Sequence, residues 1–203
     1  GIKNEAELIR RYRETSLVPE CDSAIEDIVN ECITSDISDR IVALDLRDVK
    51  LSDSIKNKMQ DEFAHILSLM KFNQNSHEIF RKWYVDGRIY FHKVVDSKRP
   101  KLGIVDLRNI DPLKIKKVRN IEKEKDPKTK IERVSKVEEF YMFNDKGFDK
   151  SSSSDGNVVK IAPEAVTYTT SGLLDYSRNV VIGYLHKALK TANQLSMMED
   201  ALV

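Results

Sequence analysis

The sequence has little of several features that mark particular classes of protein. Its 203 residues include only two cysteines, seven glycines, five prolines and one tryptophan. So little glycine and proline excludes collagen-like and low-complexity chains, and 40% hydrophobic residues predict a folded core. No apolar run approaches the roughly 18 residues that span a bilayer, and the N-terminal residues do not resemble a signal peptide.

The chain also lacks an excess of charge of either sign. It has 34 lysines and arginines against 33 aspartates and glutamates, a formal net charge of +1. A balanced charge gives no overall attraction to nucleic acid, which argues against a stand-alone DNA-binding domain. Local basic patches remain open.

The two cysteines do not predict a disulfide or a zinc site. Cys21 and Cys32 lie eleven positions apart on one predicted helix, which separates them by roughly 16 Å at the helical rise per residue. That distance is too long for a disulfide. Both thiols are therefore predicted to be reduced, which is typical of a cytosolic folding compartment.

The first half of the chain predicts helices. Residues 4–14 form a polar helix that Asn4 can cap with Glu7. Amphipathic spacing predicts further helices over residues 20–34, 53–72, where Ser52 can cap the start, and 76–84, the last two separated by a turn at residues 73–76. A short strand is predicted over residues 40–46.

The second half predicts antiparallel strands. After Gly87 the period changes from 3.6 to 2, so residues 88–95 form a strand, paired with residues 104–107. A charged hairpin with its tip at Asp126-Pro127 precedes further strands, and a serine loop lies at residues 151–156. These later strands cover residues 134–143, 158–161 and 166–170.

The last helix begins near Val180 in this prediction and continues past the end of the chain. Its apolar residues follow a spacing close to a heptad, which predicts a long helix packed on neighbours; they are Leu185, Ala188, Ala192, Leu195 and Leu202. The order of elements predicts an α+β fold, a helical layer packed on a small antiparallel sheet or partial barrel. We divide it into a helical part (1–86), a β part (87–179) and the long helix (180–203).

No pattern in the sequence requires catalysis. None of the four histidines stands in a nucleophile motif, and a P-loop is absent. We therefore predict that the chain is not an enzyme and has no catalytic residue, cofactor or metal site. The alternative is a DNA-processing nuclease in which Asp86, Asp96 and Lys98 would form the site, a loose match to metal-dependent nucleases.

The basic face of the first helix leaves a third interpretation open. Its arginines either contact phosphate groups or form a solvated face among neighbouring glutamates; they are Arg10, Arg11 and Arg13. The first alternative would make the chain an adaptor module that binds DNA or a protein partner.

Several longer segments resemble the portal vertex proteins of contractile-tailed phages (myophages). The resemblance begins at residues 80–93, FRKWYVDGRIYFHK, and recurs at 107–112, LRNIDP. It continues at SGLL (171–174) and IGYLHKA (182–188), followed by ANQL (192–195) and MEDA (198–201). These segments keep the family's order from about Leu8 to the end of the chain. The charged tip and the serine loop match less closely.

The resemblance implies a wing, stem, clip and crown assembled as a twelve-subunit ring at one capsid vertex. This chain would be the wing, with the final helix leading to the stem and with clip, crown and most channel-lining residues beyond Val203. No catalytic residue carries over. The implied partners are identical subunits (a homo-dodecamer), the terminase large subunit, major capsid and scaffold proteins, neck or head-completion proteins, and double-stranded DNA in the channel.

The resemblance places the protein in the virion, after assembly in the host cytoplasm, with the inner membrane face as one candidate location. The apolar stripe of the final helix is longer than a wing domain alone needs. We therefore expect this helix to lie near a subunit boundary. The candidate interface residues are Tyr184, Leu185, Lys187, Lys190 and Gln194.

Overall fold

A computed structural model of the chain describes residues 5–34, 40–125, 132–148, 157–177 and 179–202. The described residues form, in chain order, α1 (Glu5–Thr15), α2 (Pro19–Cys32), α3 (Asp53–Met70), α4 (Phe72–Asp86), β1 (Arg88–Val95), β2 (Ile104–Ile110), β3 (Ile115–Lys125), β4 (Glu132–Asn144), β5 (Val158–Ile161), β6 (Val166–Thr170) and α5 (Leu189–Leu202). Helices and strands occupy separate parts of the chain, which confirms the predicted α+β class.

The strands form two antiparallel sheets of three strands each. Their orders are β2-β1-β6 and β3-β4-β5. The predicted strand at residues 88–95 is confirmed, and β2 pairs with it from Ile104 opposite Val95 to Ile110 opposite Tyr90. The later strand predictions are confirmed as well, and β3 and β4 form the predicted charged hairpin.

One hydrophobic cluster joins the two sheets. Tyr90 of β1 packs edge-on against Tyr141 of β4, with ring centroids 6.2 Å apart, and stacks on Tyr168 of β6 at 4.5 Å. Ile110 and Ile115 complete this cluster from either side of the β2–β3 connection. The buried side chains of Ile110 and Ile115 therefore anchor both ends of the connection between the two sheets.

A second cluster joins the helices to the C-terminal segment. Its buried side chains come from α1, α2, α4 and the residues that lead into α5: Leu8, Tyr12, Ile25, Val29, Val85, Leu185 and Leu189. The first two helices show the predicted amphipathic faces, since Leu8, Tyr12, Ile25 and Val29 all turn inward. The end of the chain thus packs on its beginning.

The predicted strand at residues 40–46 is wrong. These residues are extended but pair with no strand among the described residues. Only Leu46 of this segment is buried. Strand-forming residues need a neighbouring strand with free backbone groups, and here the segment runs beside helix α3 instead.

The predicted turn at residues 73–76 is also wrong, because α3 and α4 are separated by a single residue. Lys71 adopts a left-handed conformation, φ 47° and ψ 47°, and its amide donates to the carbonyls of Leu67 and Ser68. Helix α4 starts directly at Phe72. One left-handed residue changes the helix direction without a loop.

The final helix begins at Leu189, about two and a half turns later than predicted. Before it, Val181 forms an isolated β-bridge with Leu174, and Tyr184–Lys187 forms a 3₁₀ helix. The amide of Ile182 donates to the carbonyl of Leu173 at 3.0 Å. Backbone pairing between residues 173–174 and 181–182 therefore replaces the first turns that the apolar spacing predicts.

The predicted caps and the surface loops have mixed outcomes. Ser52 occupies the N-cap position of α3 but makes no side-chain cap hydrogen bond. Asn4, the hairpin tip at 126–131 and the serine loop at 151–156 lie outside the described residues. The apolar stripe of α3 is present, but none of its residues is buried.

Candidate subunit interface

Two glycines set the path of the segment that carries the candidate interface residues. Gly87 ends α4 at φ +72°, and a Cβ there would lie 2.7 Å from the Cα of Gly183. A Cβ on Gly183 would lie 3.1 Å from the Cε2 atom of Tyr12. The missing side chain of Gly87 makes room for this crossing, so the C-terminal segment passes directly against the α4–β1 junction.

The Tyr12 hydroxyl reinforces the same crossing from α1. It accepts a hydrogen bond from the Gly183 amide at 3.2 Å and lies 2.8 Å from Nδ1 of His186. Burial raises the pKa of Tyr12, while the Gly183 amide lowers it by a smaller amount. His186 therefore has a structural role at this crossing.

Tyr184 contacts its own subunit through an aromatic cluster. Its ring stacks on Tyr84 at 4.8 Å and meets Trp83 edge-on at 5.5 Å. Its hydroxyl donates to the carbonyl of Ser171 at 3.2 Å. With 39% of the residue exposed, it also presents surface to solvent.

The other four candidate residues divide into one buried and three exposed. Leu185 is buried in the helical core, so its influence on any boundary passes through the packing of its neighbours. Lys187, Lys190 and Gln194 are exposed around the start of α5. A role for these residues at a subunit boundary stays a prediction.

The structure adds a feature that the sequence did not predict, a projecting loop at residues 171–182, which we call the tyrosine loop. Ser171 Oγ donates to the carbonyl of Ile182, and the Asp175 carboxylate accepts the amides of Asn179 and Val180 at 2.9 and 3.0 Å. A hydrogen bond from Ser177 and these backbone amides lower the pKa of Asp175. The loop exposes Leu173, Leu174 and Tyr176.

A charged cluster ties α1 to the β2–β3 connection. Arg13 donates to both carboxylate oxygens of Asp86, at 2.9 and 2.8 Å, and to Asp111, at 3.2 and 2.9 Å. The hydrogen bonds to Asp86 raise the pKa of Arg13, although burial opposes them. The guanidinium is therefore a structural cross-link between three elements.

The two carboxylates of this cluster have pKa shifts of opposite direction. Burial raises the pKa of Asp86, and Arg13 offsets that rise only in part. Burial alone would also raise the pKa of Asp111. Hydrogen bonds from Arg13 and the Leu113 amide outweigh that effect, so the pKa of Asp111 is lowered. The difference follows from exposure, since the side chain of Asp86 is 6% exposed and that of Asp111 is 36% exposed.

Arg88 is a buried charge for which the sequence contained no signal. Its side chain is 1% exposed and forms an ion pair with Glu5. It also donates to the carbonyls of Val181 at 2.6 Å and Asp86 at 3.3 Å. A single arginine at the start of a strand looks like a surface residue in sequence. Two of its partners, Glu5 and Val181, lie more than 80 positions away on either side of it in the chain.

The residues proposed for the nuclease alternative do not come together. Asp86 and Asp96 lie at opposite ends of β1, an eight-residue strand about 26 Å long. Asp96 accepts the Lys98 amide at 2.9 Å and Arg99 at 3.1 Å, while Asp86 pairs with Arg13. Among the described residues no group of three or more His, Cys, Asp or Glu side chains is placed to hold a metal ion.

The basic face of α1 is partly occupied by carboxylates of the same chain. Arg13 pairs with Asp86 and Asp111, and Arg11 lies 3.9 Å from Glu7.

Within the part of the chain that the structure describes, no helix is both long and apolar enough to cross a membrane.

Comparison with known proteins gives a consistent match along the chain. The sequence profile of the family described as bacteriophage T4-like portal protein (Gp20) matches residues 5–203. The chain is similar to a protein named "Portal protein" from Vibrio phage KVP40, at 36% identity over 97% of this chain and 39% of that protein. It is also similar to the "Portal protein" of Salmonella phage ViI, at 28% identity over 97% of this chain and 37% of that protein. The chain thus spans well under half the length of these relatives.

Proposed function

This chain belongs to the bacteriophage T4-like portal protein family, and from that membership we propose that it forms the wing of a structural subunit in a ring of identical copies. The ring would be the conduit for DNA entry and exit at one capsid vertex. It would also nucleate head assembly and dock the terminase motor and later the neck and tail. The observation that carries the proposal is the family match over residues 5–203.

The surface of the chain suits assembly with identical copies. Charges of both signs balance to +1, so copies can approach without overall repulsion. In helix α5, Leu189 and Ala192 are buried, but later apolar side chains are exposed, with Met197 at 72% and Met198 at 66% exposure. Such residues are typical of a surface that another protein covers.

We propose the same division and partners as the resemblance implies. Residues 1–86 and 87–179 form the helical and β parts of the wing, and residues 180–203 lead toward the stem. The subunit number is twelve, and the partners are the terminase large subunit, major capsid and scaffold proteins, head-completion proteins and double-stranded DNA. The protein resides in the virion after assembly in the host cytoplasm; the inner membrane face has no support.

Negative-stain microscopy of the complete polypeptide that contains this sequence tests the proposal directly. We expect rings with a central hole. Material that stays monomeric at high concentration, or that nicks DNA in magnesium without another protein, would overturn the proposal.

The candidate boundary around α5 has its own test. Reversing the charges of the exposed Lys187 and Lys190 to glutamate should reduce the ring fraction measured by mass photometry, because charge pairs at a boundary become repulsive. The matched control reverses Lys98 and Lys101, which have the same spacing and are also exposed. Equal ring fractions in both variants would remove α5 from the boundary.

The alternatives are not favoured. A nuclease would need acidic residues that converge on metal ions, and Asp86 and Asp96 lie at opposite ends of a strand. An adaptor that binds through the basic face of α1 would need its arginines available, and Arg13 is bound by two carboxylates. Crosslinking of the protein to DNA through α1 would support the adaptor interpretation instead.

A further inference from the structure

Helix α3 has an apolar face that the described part of the chain leaves uncovered. None of its residues is buried. Ile55 and Met59 are 46% and 39% exposed, and Val49 and Leu51, just before the helix, are exposed to a similar extent. Amphipathic helices normally bury such a stripe, so this face is suited to contact another protein.

The same helix forms one wall of a groove, which we call the α3 groove. The other wall is the extended segment at residues 40–44, the segment that joins no sheet, and the enclosed space is about 580 Å³. Its lining is mostly apolar and includes Val42, Leu44, Phe63, Ala64, Leu67 and Phe72. A groove of this size and chemistry accepts one or two large apolar side chains.

The tyrosine loop supplies side chains of that kind. Leu174 is 51% exposed and Tyr176 is fully exposed. The loop does not need to be ordered on binding, because the Leu174–Val181 bridge and the Asp175 hydrogen bonds already hold its shape. Preformed loops lose little entropy on association, and tyrosine is enriched among residues that dominate binding energy.

Helix α3, which lines the groove, and the tyrosine loop lie at opposite edges of the sheet formed by β2, β1 and β6. Helix α3 lies on the β2 side, where His65 Nε2 is 3.1 Å from the carbonyl of Ile104. The tyrosine loop leaves the end of β6 on the other side, where the Ser171 amide donates to Gly87. Two different surfaces on opposite flanks are what a head-to-tail contact between identical copies requires.

We propose that the tyrosine loop of one copy docks into the α3 groove of the next copy. This inference rests on the proposed function, since it names the two surfaces through which successive subunits of the ring meet. Charge supports the pairing, because Lys71 borders the groove and Asp175, whose pKa is lowered by the Ser177 hydroxyl and backbone amides, lies beside Tyr176 in the loop. Arg178, also in the loop, falls outside the described residues.

Site-directed crosslinking in the complete polypeptide tests the contact. Tyr176→Cys and Ala64→Cys are combined in a background in which the native cysteines are serine, and a short bismaleimide is added. Ala64 is an exposed groove residue. A head-to-tail contact should yield a ladder of covalent oligomers beyond the dimer. The control pair, Tyr176→Cys with Leu17→Cys at an exposed site away from the groove, should yield none.

A second measurement weighs the contribution of the loop. Tyr176→Asp should weaken association in a mass-photometry dilution series by about tenfold or more, as for an aromatic anchor. Leu17→Asp changes an equally accessible apolar residue, 77% exposed, and should change the midpoint less than about twofold. Tyr176→Phe should retain association because the ring is kept.

The outcomes separate the docking inference from the proposed function. If rings form but no ladder appears and Tyr176→Asp assembles normally, the docking is overturned while the ring stands. Products limited to covalent dimers would indicate a two-fold exchange, and a fast-migrating monomer would indicate contact within one chain; either overturns the docking. Unmodified protein that never forms rings overturns both.

Discussion

Gly87 and Gly183 are in backbone contact, so close that a Cβ on Gly87 would lie 2.7 Å from the Cα of Gly183. The two residues are 96 positions apart in the sequence. Their contact brings the end of α4 against the segment that leads to α5, and it leaves no room for a side chain at Gly87.

Gly87→Ala should destabilise the chain by about 3 kcal/mol or more, since it combines a left-handed backbone with overpacking. Gly172→Ala is the matched control, because Gly172 also has a positive φ, +77°, but a Cβ there meets nothing within 4 Å. Its cost should be only the backbone term, about 1 kcal/mol. Urea unfolding followed by fluorescence of Trp83, the single tryptophan, measures both. Equal losses would contradict the close contact.

Removing the Tyr12 hydroxyl should loosen the same crossing. Tyr12→Phe leaves the Gly183 amide and Nδ1 of His186 without their partner, at an expected cost of about 1–2 kcal/mol. Tyr176→Phe removes a hydroxyl from a fully exposed ring and should be neutral within about 0.5 kcal/mol. The same urea titration compares the two. A neutral Tyr12→Phe variant would mean that water replaces the hydroxyl without cost.

Arg13→Met should lower the free energy of unfolding although the Arg13 side chain is partly exposed. It leaves the carboxylate of Asp86, 6% exposed, without a counter-charge, and breaking one partner of a buried pair costs about 3–5 kcal/mol. Because the Arg13 side chain is itself 37% exposed, we expect about 2–3 kcal/mol after allowance for solvent screening. Arg11→Met, at a solvated pair with Glu7, is the control and should cost less than about 0.5 kcal/mol. The prediction fails if the two variants unfold at the same urea concentration.

The opposite pKa shifts of Asp86 and Asp111 predict opposite pH trends for their amide variants. The lowered pKa of Asp111 stabilises the fold above the ordinary value of 3.8, and that stabilisation is lost as the pH falls through the folded-state pKa. The raised pKa of Asp86 gives a contribution that is complete below 3.8 and declines as the pH rises through the folded-state pKa.

Urea unfolding between about pH 2.5 and pH 6 reveals the two signs around the reference pKa. The stability difference between the unmodified chain and Asp111→Asn should shrink as the pH falls. The difference for Asp86→Asn should instead shift in favour of the unmodified chain as the pH falls. Parallel trends in the two variants would show that Arg13 holds both carboxylates in the same way.

Local pattern was enough to predict most elements and the family. The switch of period after Gly87 predicted β1, and amphipathic spacing predicted α1 to α3, because these signals depend on residues within a few positions of one another. The segments from Phe80 to Lys93 and around His186 carried the resemblance to portal proteins, which the family match over residues 5–203 confirms.

Where local pattern failed, a distant contact decided the outcome. The apolar spacing after Val180 is that of a helix. Because Gly183 passes against Gly87 and Tyr12, the helix begins only at Leu189. The residues at 40–46 are strand formers, but no strand of the described chain pairs with them. In the first case a residue far along the chain set the backbone conformation, and in the second a strand partner was missing among the described residues.

The sequence by itself therefore determined the α+β class, the positions of most helices and strands, and membership of the portal family. Only the tertiary structure decided that Arg88 and Asp86 are buried charges and that Arg13 joins three elements. It also decided that the groove beside α3 and the exposed tyrosine loop lie at opposite edges of one sheet. The physical reason is range: periodicity and capping act over a few residues, whereas burial and ion pairing depend on which segments the fold brings together.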